Sequence, residues 1–226
     1  MRMIAKFEKG KPIAAVAHLD LMRTFQRAFR RADVPMAFSK GFHPHPLLSF
    51  AQALSVGLAS KGEYLDVGLE APMDPEDFKG RVNAVLPQDL RILCAAAVEE
   101  GYPALMSRVD RARYRVEDVP KTWADVLGSF LDQKTIEITV EKRDKRGVKM
   151  KDVSLRDGIH EMTMEGNTLY MLLSCGSRKN VAPLWVLKAL EAHSGVPMGD
   201  PFIIREDLMA LRGDAMISLF DLEAKA

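Results

Sequence analysis

The sequence predicts an α+β fold of two tandem ferredoxin-like (βαββαβ) halves with antiparallel sheets. Three observations point to it. The first is a strand, helix, strands, helix, strand order over residues 1–100. The second is the return of that order over 111–226. The third is a change of composition between them, at Glu99-Glu100-Gly101-Tyr102-Pro103 through Asp110, where turn formers and charge replace periodic apolar residues. The boundaries follow as a first domain at 1–100 and a second at 111–226, the second with a hairpin insertion.

Each element has a local reason. Met1 to Glu8 alternates as a strand does, and His18 to Ala32 carries Met22, Phe25, Ala28, Phe29 and Ala32 at helical spacing, one continuous apolar face. Arg23, Arg27, Arg30 and Arg31 fall on the opposite side of that helix. Val34-Pro35 ends it, because proline disfavours helical geometry in the residue before it. Extended stretches follow at Met36 to Ser39, Leu47 to Val56 and Glu63 to Leu69. Pro75 to Leu86 is a second amphipathic helix, with Asp74 as its cap and Phe78, Val82, Val85 and Leu86 inward. Leu90 to Val98 closes the first half. In the second half, strands are expected at Ala112 to Val119, Thr135 to Glu141, Met150 to Leu155, Leu169 to Cys175 and Phe202 to Arg205. Helices are expected at Thr122 to Leu131 and Ala182 to Ala192. Lys142-Arg143-Asp144-Lys145-Arg146-Gly147 reads as an exposed hairpin tip.

Composition narrows the function. With 226 residues, 47% hydrophobic, the chain has material for a sizeable core. A net charge of +1 argues against a global polyelectrolyte, so nucleic-acid binding would need locally clustered charge. Cys94 and Cys175 stand far apart in apolar contexts and read as buried small hydrophobes, without metal-ligand spacing. No cluster-binding CxxxCxxC pattern, Walker loop or dinucleotide fingerprint occurs, so no cofactor is assigned. The N-terminal charge alternation comes too early for a signal peptide and no window suits a membrane span, so a cytoplasmic location with no membrane contact is expected.

The densest chemistry lies in Ser39-Lys40-Gly41-Phe42-His43-Pro44-His45-Pro46. Two prolines fix φ, Gly41 admits backbone angles closed to other residues, and a ring and two imidazoles are left over. The plain alternative is a stiff hairpin loop with Phe42 in the core. Arg23, Arg27, Arg30, Arg31 and Lys40, with Phe42 and His43 beside them, offer phosphate forks and a stacking ring, against the alternative of a solvated helix face. His18 and Asp20 open the first helix, either as a capping pair or as functional groups. With His45 they make a candidate acid–base set. Convergence of His18, His43 and His45 could suit a transition metal, but the intervening proline restricts tetrahedral geometry and no metal is assigned. In the second half, Gly176-Ser177-Arg178-Lys179-Asn180 before the Ala182 helix is a candidate anion site, or an ordinary turn with Asn180 as cap.

With these residues in view, the chain resembles a bacterial family of radical SAM-linked proteins of undefined function. The resemblance rests on His18-Leu19-Asp20-Leu21-Met22-Arg23, Arg27-Ala28-Phe29-Arg30-Arg31-Ala32, the Ser39 to Pro46 segment, and Ser60-Lys61-Gly62-Glu63-Tyr64-Leu65-Asp66, continued by Asn180 and Pro183. It implies a radical SAM protein as partner and adds Gly62, Glu63 and Asp66 to the candidate surface. Family members commonly carry Asn at position 43 and a hydroxyl residue at 17, which leaves His18 and His45 as the transferable pair. The tandem plan also looks like that of CRISPR repeat-processing endonucleases, a likeness of fold. Three functions are open at this point. One is an accessory module that binds RNA or an RNA-like substrate for a radical SAM partner. Another is a nuclease-type enzyme using His18, Asp20 and His45. The third is a protein-docking module built on Phe42 and the prolines.

Overall fold

The computed structural model describes residues 1–144 and 147–222, with the backbone alone at 142–144. Its elements are β1 (Arg2–Lys9), α1 (His18–Arg31), β2 (Leu48–Phe50), β3 (Ala59–Gly68), α2 (Pro75–Asn83), β4 (Leu90–Val98), β5 (Arg111–Glu117) and α3 (Trp123–Leu131). They continue with β6 (Glu137–Asp144), β7 (Gly147–Ser154), β8 (Ile159–Glu165), β9 (Thr168–Ser174), α4 (Pro183–Ser194), β10 (Phe202–Arg212) and β11 (Ala215–Ser218). The fold is mixed α+β with a mostly antiparallel sheet.

The main sheet has the order β4-β1-β3-β10-β5-β9-β8, with β2 also on β3 and β11 on β10. Strands of the first half lie as β4-β1-β3-β2 and those of the second as β10-β5-β9-β8, the same permutation twice. The sheets expected for the two halves are continuous here. A short parallel contact, Ala59 with Ile204 and Ser60 with Arg205, joins both sets into one sheet. The same edge of β3 takes β2 at Leu65, Asp66 and Val67 and β10 at Ala59 and Ser60. That sharing explains why the stretch expected to run from Leu47 to Val56 forms a strand only over Leu48–Phe50.

α1 is amphipathic as predicted, with Leu21, Phe25, Ala28 and Phe29 buried. These pack with Phe7, Phe50 and Phe78. Phe25 meets Phe7 edge-on at 4.9 Å between centroids, and Phe29 lies 5.5 Å from Phe78. Each fully buried ring stabilises the fold by about 1.5–3 kcal/mol. Asp74 caps α2, its carboxylate accepting from the Glu76 and Asp77 amides. A second core surrounds Trp123, Phe130, Val186, Leu187 and Leu190 and reaches Ile4, Ala51 and Tyr64 of the first half.

Several local expectations change. The segment 99–110 is anchored at several points: Leu105 and Val109 are buried, and the Tyr102 hydroxyl donates to the Leu219 carbonyl at 2.9 Å. β8 and β11 carry too few periodic apolar residues to be read from sequence and form by pairing with β9 and β10. β6 and β7 form a separate two-stranded ribbon. Lys145 and Arg146 of its charged turn lie outside the described residues. Cys175 is buried, whereas Cys94, on the outermost strand β4, is exposed. Among the described residues, no helix is long and apolar enough to cross a membrane.

Candidate functional site

α1 begins after Ala17, whose position is N-cap without a side-chain bond. The His18 ring stands edge-on to Phe50 at 5.1 Å, half-buried. Asp20 pairs with Arg23 at 3.0 Å in an exposed (i, i+3) bridge, a contact of small energy in water. Further along, the Arg27 guanidinium reaches the Thr24 hydroxyl at 3.4 Å. Among the described residues, Arg27, Arg30 and Arg31 have no ion-pair partner and remain exposed. Arg27 and Arg31, with Thr24, Leu86 and Pro87, line a cleft of about 390 Å³ between α1 and the turn after α2.

The Ser39 to Pro46 segment is a closed loop held at its neck. Phe38 bridges Pro46, the Ser39 amide donates to the His45 carbonyl at 2.9 Å, and the His45 amide donates to the Ser39 hydroxyl at 3.1 Å. That hydroxyl also lies 2.8 Å from His45 Nδ1. Gly41 adopts φ +132°, which side-chain-bearing residues rarely take. The plain reading with Phe42 in the core is overturned: Phe42 is 101% accessible, and Lys40 and His43 are exposed with it. A ring fully in water at the tip of a stiffened loop contributes nothing to the core.

His45 also borders a cleft of about 330 Å³ with Arg2, Pro46, Leu48, Asp66 and Gly68. Arg2 grips Asp66 in a two-point ion pair, its Nε at 3.1 Å, and donates to the Tyr102 carbonyl. His45 and Asp66 are therefore brought together, with Arg2 as a neighbour that sequence reading missed. His18 and His45 have separate partners: His18 packs on Phe50 at the end of β2, and His45, ahead of that strand, is bonded to Ser39. Among the described residues no group of three or more His, Cys, Asp or Glu is placed to hold a metal ion.

Gly62 and Glu63 belong to the seam between β3 and β10, not to a surface. A Cβ on Gly62 would stand 2.5 Å from the Glu206 carbonyl oxygen. Glu63 and Arg205 face each other at 2.8 Å, both side chains 2% exposed, as an ion contact without an aligned hydrogen bond. Lys9, 1% exposed, donates to the carbonyls of Ala14, Val16 and Leu58. Burial pushes its pKa down. Tyr64 donates to Asp207 at 3.1 Å, and Lys6 pairs with the same carboxylate at 2.7 Å. The signal that could have exposed this seam was a charge set against an apolar run in each of two strands, Glu63 before Tyr64-Leu65 and Arg205 after Phe202-Ile203-Ile204.

In the second half, Arg178 pairs with Asp110, and Lys179 lies 3.6 Å from Asp157. Both border a cavity of about 180 Å³ with Arg111 and Ser174. The Ser174 hydroxyl meets His160 Nε2 at 2.8 Å. Burial, then Arg111 and Lys179, pushes the His160 pKa below its ordinary 6.5. Asn180 is not the cap of α4, since Ala182 holds that position and Pro183 the first turn. Instead Asn180 lines a small cavity with Arg205.

Residues 2–183 match the family model described as an uncharacterized protein conserved in bacteria (DUF2344). The chain belongs to the DUF2344 family. No curated protein matches it. Among solved structures, the DUF2344 chain is similar to one in the crystal structure of a Cbf5-Nop10-Gar1 complex, with 11% identity and a TM-score of 0.46. The match covers 91% of this chain and 48% of the other, so this chain spans about half the length of that one.

Proposed function

We propose that this DUF2344 protein is an accessory module that binds RNA or an RNA-like substrate and presents it to a radical SAM enzyme. The observation that carries the reading is a solvent-bathed ring, Phe42, on the loop after a helix whose Arg27, Arg30 and Arg31 have no ion-pair partner among the described residues. A fully exposed aromatic side chain offers a stacking platform, and guanidinium forks match phosphate geometry. Arg27, Arg30, Arg31 and Lys40 hold the backbone in this scheme, Phe42 stacks a base, and His43 and His45 border the bound strand. The radical SAM partnership rests on the family resemblance and the two-domain, tandem ferredoxin-like description on the repeated strand permutation. In this scheme the partner supplies the chemistry, while His18 packs on Phe50 and His45 is bonded to Ser39.

Filter binding of small cellular RNA to the protein and to an Arg27→Glu/Arg30→Glu variant tests the reading. Binding that the variant loses supports it. Absence of binding to the unaltered protein refutes it, and co-purification with a radical SAM enzyme would then favour Phe42 as a protein contact.

A further inference from the structure

The seam between the halves contains more buried positive charge than negative. Lys9 and Arg205 are 1% and 2% exposed, and Glu63, 2% exposed, faces Arg205. Lys9 Nζ donates to three carbonyls, at 2.8, 3.0 and 3.3 Å, and has no carboxylate within ion-pair distance among the described residues. Burial pushes the Tyr114 hydroxyl and the Cys175 thiol upward, so neither neighbour supplies an anion. Two cations thus share one carboxylate, and a buried charge without a counter-ion is costly.

Arg205 also has unspent donors. Of the five N–H groups of a guanidinium, one faces Glu63, one donates to the Ala53 carbonyl at 3.1 Å, and one makes a long 4.0 Å contact with the Cys175 sulfur. The side chain borders a cavity of about 40 Å³ whose wall includes Gln52, Ser55, Asn180 and Pro183, the first residue of α4. The side chains of Gln52, Ser55 and Asn180 have no hydrogen-bond partner among the described residues. Ala182 and Pro183 at the α4 terminus line the same space, and the terminus lacks a side-chain cap, so its positive end lies beside the cavity. Since a water needs about 10–15 Å³ of such space, the cavity admits about three water-sized atoms.

We propose that this cavity is a phosphate site, in which Arg205, Asn180, Gln52 and Ser55 hold a terminal phosphate group or the free ion at the junction of the two halves. The bound anion supplies the negative charge that the Lys9, Arg205 and Glu63 set lacks. The proposal is independent of the arginines of α1.

The test is calorimetric titration of the full chain with inorganic phosphate. In parallel, the same short oligoribonucleotide is titrated with a 5′-phosphate and with a 5′-hydroxyl. Asn180→Asp places a carboxylate at the exposed rim, and Ser55→Asp repeats the change from the facing wall should the first variant fold poorly. Saturable binding of phosphate, weakened at least tenfold in the variant, supports the site. A tenfold preference for the 5′-phosphorylated strand, abolished in the variant, supports it and identifies a nucleic-acid end as the source. No saturable binding of either phosphate-bearing probe, or equal binding by Asn180→Asp, overturns it. Arg27→Glu/Arg30→Glu retains phosphate binding under this proposal, so failure of the α1 reading and failure of this one are distinguishable.

Discussion

Replacing Glu63 with Gln removes the one carboxylate facing Arg205 while keeping nearly the same volume. Both side chains are 2% exposed, so water cannot take over the lost charge. Removing one partner of a buried ion pair costs about 3–5 kcal/mol, because the remaining charge is left uncompensated. Lys9 sharpens the effect here, since a second buried cation loses the field of the same carboxylate. Against a typical stability of about 5–15 kcal/mol, this is a large fraction of the whole. For a chain of this size it corresponds to a fall in Tm of roughly 6–20 °C. Urea unfolding followed by circular dichroism should show the midpoint falling with the slope unchanged. The double variant Glu63→Gln/Arg205→Met should recover part of the loss, since an apolar side chain of similar length removes the Arg205 charge while Lys9 keeps only its three carbonyl partners. A Glu63→Gln cost below about 1 kcal/mol would refute the claim that this pair, and not apolar contact alone, ties β3 to β10.

Gly62→Ala should destabilise by about 1–3 kcal/mol, read as a thermal shift, because its Cβ would stand 2.5 Å from one backbone atom and 2.7 Å from another. Phe42→Ala should leave unfolding within about 0.5 kcal/mol of the unaltered protein. The same change should weaken RNA binding by about 1–3 kcal/mol if one base stacks on the ring. His160, with a folded-state pKa below 6.5, binds fewer protons folded than unfolded between that value and 6.5. Its contribution is therefore present above pH 6.5 and lost as the pH falls through that window. An NMR titration placing His160 at or above 6.5 would contradict this, and His160→Gln should flatten the stability profile there.

The elements carried by their own periodicity were legible in the sequence. α1 announced its buried stripe through Phe25, Ala28 and Phe29, and Asp74-Pro75 marked the start of α2. β8 and β11 were not legible, because their pairing with β9 and β10 supplies what their own apolar pattern lacks. The merging of the halves into one sheet depends on a contact of two residue pairs, Ala59–Ile204 and Ser60–Arg205, distant in sequence. At the site, the exposure of the α1 arginines followed from the helical wheel, whereas the exposure of Phe42 did not. An aromatic residue is buried by default, and only the Ser39–His45 neck turns this one outward. Glu63 shows the converse error. A charged residue in a recurring motif reads as surface chemistry until its partner, Arg205, is located far along the chain.

The most direct test of the central claim is the salt dependence of RNA binding. Arg27, Arg30, Arg31 and Lys40 make four phosphate contacts in the scheme, which for a single strand corresponds to a slope of about −2.8 in log affinity against log salt. Arg27→Glu/Arg30→Glu should bring the slope to about −1.4 or abolish binding. A slope near zero, or one unchanged in the variant, would contradict the claim that α1 is an RNA face.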